Sequence, residues 1–137
     1  MSFAPSLTQT STVSCGRTRR IALWVVQIAL AGMFLLAGGS KLLGAAPMVA
    51  LFDAIGIGQW FRYVTGLIEV GSAIALLMPS LAVFGALALV ATMVGAVATH
   101  LFIVGGSPAM PVILLLGSAA VVWARRHQVL GNQPTVR

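Results

Sequence analysis

The stretch IALWVVQIALAGMFLLAGGSKLL, Ile21 to Leu43, carries no charge until Lys41, and its reading decides what kind of molecule this is. About 20 consecutive apolar residues suffice for a helix to cross a hydrocarbon core about 30 Å thick. Working outward, three further stretches of the same kind follow, Phe61–Met78, Leu81–Val104 and Pro108–Ala124. Lys41, Arg62 and Glu69 are the only lysine, arginine or acidic residues inside the four. Water is therefore not the main solvent of this chain.

The rest of the composition agrees. The chain is 59% hydrophobic and 7% charged, with a mean hydropathy of +1.03. A water-soluble domain carries about 25% charged residues, so a hydrated surface of ordinary size cannot be built here. The lone cysteine, Cys15, excludes an intrachain disulfide and a Cys-x-x-Cys relay. No cluster suited to a metal is evident, and no phosphate-loop spacing occurs among the glycines.

The net charge of +6 is distributed in a way that speaks against nucleic acid. Arg17, Arg19 and Arg20 precede the first apolar stretch, Arg125 and Arg126 follow the last, and Arg137 closes the chain. The opposite ends of the stretches carry only Lys41 and Arg62. Basic flanks mark the cytoplasmic side of a membrane span and contact anionic lipid. Both termini are thus expected inside, which requires an even number of crossings. Thr18-Arg19-Arg20-Ile21-Ala22-Leu23 loosely resembles a twin-arginine signal, but the apolar run after it exceeds a signal core and lacks an Ala-x-Ala site. It is read as an uncleaved first helix.

The expected fold is all-α: a bundle of four transmembrane helices, both termini cytoplasmic, with a short outer-face helix between spans one and two. Residues 1–20 are expected to be an unstructured cytoplasmic tail, rich in Ser and Thr towards its start. Residues 21–126 form the membrane domain, and 127–137 a second polar tail. Gly44 and Pro47 stop the first helix and start the short one, which Gly56 and Gly58 end. Met78-Pro79-Ser80 forms a tight inner turn, which makes spans two and three antiparallel neighbours. Gly105-Gly106-Ser107-Pro108 forms the outer turn before span four. Trp60 and Tyr63 are expected to anchor at the interface. Many small residues within the spans suit close backbone packing in lipid.

Glu69 is the residue that most demands a reason. A carboxylate within a span costs about 2.5–3.5 kcal/mol on insertion scales, so it must face the bundle, pair or take up a proton. Gly66, Glu69 and Ala73 share one helical face, which leaves room for a partner or ligand; a plain interhelical hydrogen bond satisfies the same constraint. His100, near the outer end of span three, shares a small, polar stripe with Thr92, Ala96 and Thr99. His100 and Glu69 both fall in the outer half of the bundle. Lys41 is expected to pair with Glu69 or Asp53, and Arg62 to extend to the outer head groups. Gln27 is expected to make a structural interhelical hydrogen bond. The candidate polar pocket is thus Lys41, Gly66, Glu69 and His100, with Asp53, Arg62 and Thr99 beside it. Apolar walls with a few convergent polar groups suit the head group of a quinone, whose redox chemistry moves protons.

The order of three motifs resembles the DoxX/DoxX-like membrane family. These are Gly32-Met33-Phe34-Leu35-Leu36-Ala37-Gly38-Gly39-Ser40-Lys41-Leu42, then Phe52-Asp53-Ala54-Ile55-Gly56-Ile57, then Gly66-Leu67-Ile68-Glu69-Val70-Gly71-Ser72-Ala73-Ile74-Ala75-Leu76-Leu77. Ala98-Thr99-His100-Leu101 follows in the third span. The resemblance spans roughly residues 21 to 126. It implies a four-helix protein of a bacterial cytoplasmic membrane, some of whose relatives belong to quinone-reducing thiosulfate oxidation and others to redox or oxidative-stress complexes. The family's Gly-x-x-Glu falls on Gly66 and Glu69, its first-span Lys on Lys41 and its third-span His on His100. Without a cysteine in the membrane or on the outer face, the chain is not expected to handle thiols directly.

Three functional readings follow from these residues. The leading one is an accessory subunit, rather than an enzyme by itself, of a quinone-linked redox or oxidative-stress complex. It would meet a membrane or periplasmic redox partner, or further copies of itself. The second is a structural adaptor or assembly factor in which Lys41 and Glu69 form a structural pair. The third, a small-solute or proton transporter, lacks the expected inverted repeat.

Overall fold

No proline falls between Pro5 and Pro47, and that long proline-free run becomes one long helix. In the computed structural model, which describes residues 12–130, α1 runs Thr12–Leu42. Residues 12–20, expected to belong to an unstructured tail, are therefore helical. The arginines there are good helix formers, and a helix already nucleated by the apolar run extends through them at little cost. Residues 1–11 and 131–137 of the two expected tails lie outside the described residues. The second tail also opens in helical form, with His127–Leu130 as a final turn, α6.

The short helix expected after the first stretch is α2, Ala46–Ile55, with Pro47 in its first turn. Gly56 closes it in the left-handed region at φ 78°, its N–H donating to the Phe52 carbonyl at 3.3 Å. The next helix, α3, spans Gln59–Leu77, and the turn at 78–81 leads into α4, Ala82–Thr99. The helix then widens into a π-helical segment, His100–Val104, which Gly105 ends at φ 74°. The last long helix, α5, spans Ala109–Arg125, with Pro111 near its start, where no intrahelical N–H is needed.

The helices close a circuit. Each of the contacts α1 to α3, α3 to α4, α4 to α5 and α5 back to α1 is present, while α2 lies on α3 and touches the π-helical segment. Leu30, Ala31 and Phe34 of α1 meet Ala73 and Leu76 of α3 in the shared core. Ala86, Leu89 and Met93 of α4 and Val121 of α5 complete it. Phe52 attaches α2 to α3 through an edge-on contact with Phe61, ring centroids 5.9 Å apart.

The outward faces are apolar too. Val25, Ile28, Leu36, Leu67, Phe84, Leu87, Val94 and Phe102 are all exposed, as suits contact with acyl chains and not with water. Among the described residues, three helices are long and apolar enough to cross a membrane: Gly16–Leu42, Gln59–Leu77 and Ala82–Val104, the last including the π-helical segment. The fourth expected span, α5, is equally apolar but has 17 residues. At 1.5 Å per residue it reaches about 26 Å, a little short of a full hydrocarbon core.

Candidate functional site

Lys41 meets Glu69 because of how the two helices lie. Residues near 41 face residues near 69, while Gln27 faces Leu76, so α1 and α3 run antiparallel. Side chains on a helix lean towards its N-terminus. Lys41 therefore leans back towards Gly38, Glu69 leans back towards Gly66, and the two converge. Lys41 Nζ donates to Glu69 Oε1 at 2.9 Å and to Oε2 at 2.7 Å. Glu69 is 1% exposed and the Lys41 side chain 14%. This is the one ion pair among the described residues.

The glycines beside the pair make the approach possible. A Cβ added at Gly38 would lie 2.8 Å from Val70 Cγ2, 2.9 Å from the Gly66 carbonyl oxygen and 3.1 Å from Glu69 Cβ. One added at Gly66 would meet Leu42 Cδ2 at 3.0 Å and the Gly38 carbonyl oxygen at 3.1 Å. The expected face of small residues around Glu69 is thus real. At Gly66 it is filled by α1, through the Leu42 side chain and the Gly38 backbone.

Arg62 corrects one expectation. It does not extend to head groups: it is 4% exposed and turns back onto the end of α1. Its Nη1 donates to the Lys41 backbone carbonyl, and its Nε to Gln59 Oε1 at 2.7 Å. The guanidinium also lies 4.4 Å from the centroid of the Tyr63 ring. The physical reason is the C-terminus of α1: the Lys41 carbonyl, otherwise met only by the Gly44 N–H at 3.3 Å, takes a second donor there, and the cation offsets the negative end of the helix dipole. Gln59 continues the network, its Nε2 donating to Asp53 Oδ1 at 2.6 Å and to the Val49 carbonyl at 3.0 Å. Asp53 thereby ties α2 to α3 and takes no part in pairing with Lys41.

The other expected members stand apart from this network. Nδ1–H of His100 donates to the Ala96 carbonyl at 2.9 Å, and Thr99 donates to the Gly95 carbonyl at 2.9 Å. Thr92 likewise donates to Ala88. Each satisfies its own helix, and no hydrogen bond joins His100 to Glu69, whose two oxygens accept from Lys41. Two neighbouring side chains taking carbonyls one turn back coincide with the place where α4 widens. That widening had no sequence signal.

A second polar knot lies at the opposite end of the helices. Gln27 is fully buried and binds in both directions, as its expected interhelical role requires. Its Nε2 donates to the Leu76 carbonyl at 2.7 Å, and its Oε1 accepts from Arg125 Nη2 at 2.7 Å and Nε at 3.1 Å. Arg125 also lies 5.7 Å from the Trp24 ring centroid. From sequence, Arg125 reads only as a flanking charge; the hint available was a lone buried amide on α1 in need of a donor. Around this knot opens a cleft of about 360 Å³ lined by Arg19, Arg20, Trp24, Arg125 and His127 among others. No group of three or more His, Cys, Asp or Glu suited to a metal occurs among the described residues.

Apolar helices of membrane-crossing length, facing outward with Leu, Phe and Val and bound together by a buried Lys–Glu pair, define a multi-pass helical membrane protein. The particular family is shown by its model, which matches residues 25–126, well over half of the chain. The chain belongs to the DoxX-like family. No curated protein and no solved structure gives a match.

Proposed function

We propose that this chain is a non-catalytic membrane subunit: a scaffold with four crossings and both termini cytoplasmic, working within a quinone-linked redox or oxidative-stress assembly of a bacterial cytoplasmic membrane. The observation that carries the scaffold reading is the Lys41–Glu69 pair. Both carboxylate oxygens accept from one ammonium, and α1 packs closely on the glycine face beside Glu69. A proton-transferring carboxylate needs access to the group it serves. Glu69 instead holds α1 against α3. The family resemblance supplies the redox setting, and the basic flanks at both ends supply the orientation.

The test exchanges the pair for apolar residues. A scaffold tolerates Lys41→Met/Glu69→Leu, because well-packed hydrophobic replacements of a buried ion pair are commonly neutral or stabilising. Quinone is then extracted from wild type and the double variant, each purified in mild detergent. The scaffold reading expects less than one quinone per chain in both, with the double variant folded. One quinone per chain in wild type, lost in the folded double variant, would establish Glu69 as part of a quinone site and end the reading.

A further inference from the structure

The chain contains two acidic side chains, Asp53 and Glu69, and both are committed to the network at the Lys41 end. The other end gathers guanidinium groups with no carboxylate side chain to offset them. Arg19, Arg20 and Arg125 line one cleft of about 360 Å³, and Arg20 repels Arg125 across it. Arg125 stays there because Gln27 and Trp24 hold it. Cations gathered side by side around one cleft attract an anion from outside.

What lies beside the cleft specifies that anion. A groove of about 290 Å³ between α1 and α5 shares Arg19, Leu23 and Ala124 with the cleft and continues over Val26, Ala120 and Val121. Its lining is almost wholly apolar, and it faces outward between two helices whose exposed residues suit acyl chains. A free phosphate or nucleotide would use the arginines and leave the groove empty. A phosphodiester carrying a hydrocarbon tail fits both parts.

We propose that the cleft at the Arg19–Arg20–Arg125 end is a binding site for an anionic phospholipid, its phosphodiester between the guanidiniums and an acyl chain along the α1–α5 groove. Arginine suits this task, since its planar fork presents paired donors to phosphate oxygens. The lipid would join the start of α1 to the end of α5, two elements whose mutual contact is the slightest in the helix circuit.

Thermal unfolding and native mass spectrometry of the full chain in detergent test this, with added phosphatidylglycerol, phosphatidylcholine or inorganic phosphate as probes. Phosphatidylglycerol should raise the unfolding midpoint and remain bound, while the other two should do neither. Arg19 and Arg20 are exposed and outside the core, so Arg19→Gln/Arg20→Gln should fold as wild type without lipid. That variant should weaken phosphatidylglycerol binding by about tenfold or more, because it removes the charge-assisted hydrogen bonds of two guanidiniums to the phosphodiester. Arg17→Gln, which removes a neighbouring charge that lines neither the cleft nor the groove, should keep wild-type binding. Ala120→Trp, which fills the groove, should weaken binding with every arginine in place. Equal retention of phosphatidylcholine, equal stabilisation by inorganic phosphate, or a loss of binding in the Arg17 control would each overturn the site.

Discussion

A buried ammonium and a buried carboxylate are each expensive alone, so the informative experiments at Lys41 and Glu69 remove one or both. Glu69→Leu leaves the Lys41 charge without its counter-ion and is expected to destabilise the fold by about 3–5 kcal/mol. Lys41→Met should do the same by orphaning the carboxylate, and the double variant should recover most of the loss. Reversible unfolding in detergent, arranged as a double-mutant cycle, checks this; losses that simply add would show the pair to be uncoupled. Arg62 is a different case, because its partners are neutral. Arg62→Ala leaves the Lys41 carbonyl with only the Gly44 N–H, at 3.3 Å, and takes the Arg62 donor from the Gln59 oxygen, at about 1–3 kcal/mol. Arg62→Lys should restore only part of that, since a single ammonium cannot reproduce the guanidinium fork. Full recovery with Lys would argue that charge alone matters here.

At the scale of the helix, the glycines separate into two kinds. Gly38 and Gly66 sit where α1 and α3 touch, and Gly85 sits where α4 meets α3, an added Cβ there lying 2.7 Å from the Ser72 carbonyl oxygen. Gly32 and Gly39 face open space. Alanine at Gly38 or Gly85 should therefore push helices apart and cost about 1–3 kcal/mol. Alanine at Gly32 or Gly39 should stabilise its helix, by up to about 1 kcal/mol. Opposite signs from the same substitution, read from unfolding midpoints, are the expected result. A uniform gain in helix stability at all four would mean that the close crossings do not form. Gln27→Leu belongs at this scale too. It frees the Leu76 carbonyl at the end of α3 and releases Arg125, so it should loosen α5 more than a surface substitution would.

For the whole molecule, the testable property is the sidedness of the chain. Cys15 is the only cysteine, so the native protein already carries a probe near its start. In right-side-out vesicles a membrane-impermeant maleimide should leave Cys15 unmodified until the membrane is opened. In a Cys15→Ser background, Arg137→Cys should behave identically. Protection of one end and labelling of the other would mean an odd number of crossings, with α5, at 17 residues, the helix that fails to cross. Protection of both supports four crossings despite that length, with Trp123 and Arg126, whose guanidinium lies 5.1 Å from the Trp123 ring centroid, at the interface.

Much of this architecture was legible in the residues because local rules govern it. Apolar run length sets the helices, Pro47 and Gly56 bound α2, and the turns at 78–81 and 105–108 fall where glycine, proline and serine break the pattern. The partnership of Lys41 with Glu69 was within reach as well, because an intramembrane acid has few ways to be satisfied. Three things needed the tertiary structure. Arg62 turned inward because the open end of α1 happened to lie beside it, a fact no spacing within α3 encodes. His100 kept to its own helix, although its position allowed a pocket with Glu69. Arg125 changed from a topological flank to the partner of Gln27, across 98 residues of chain. The sequence by itself determined which segments form helices in lipid and which side chains must find partners there. Which partners they found was decided only by packing, because buried polar groups bond to whatever the crossing helices bring within about 3 Å.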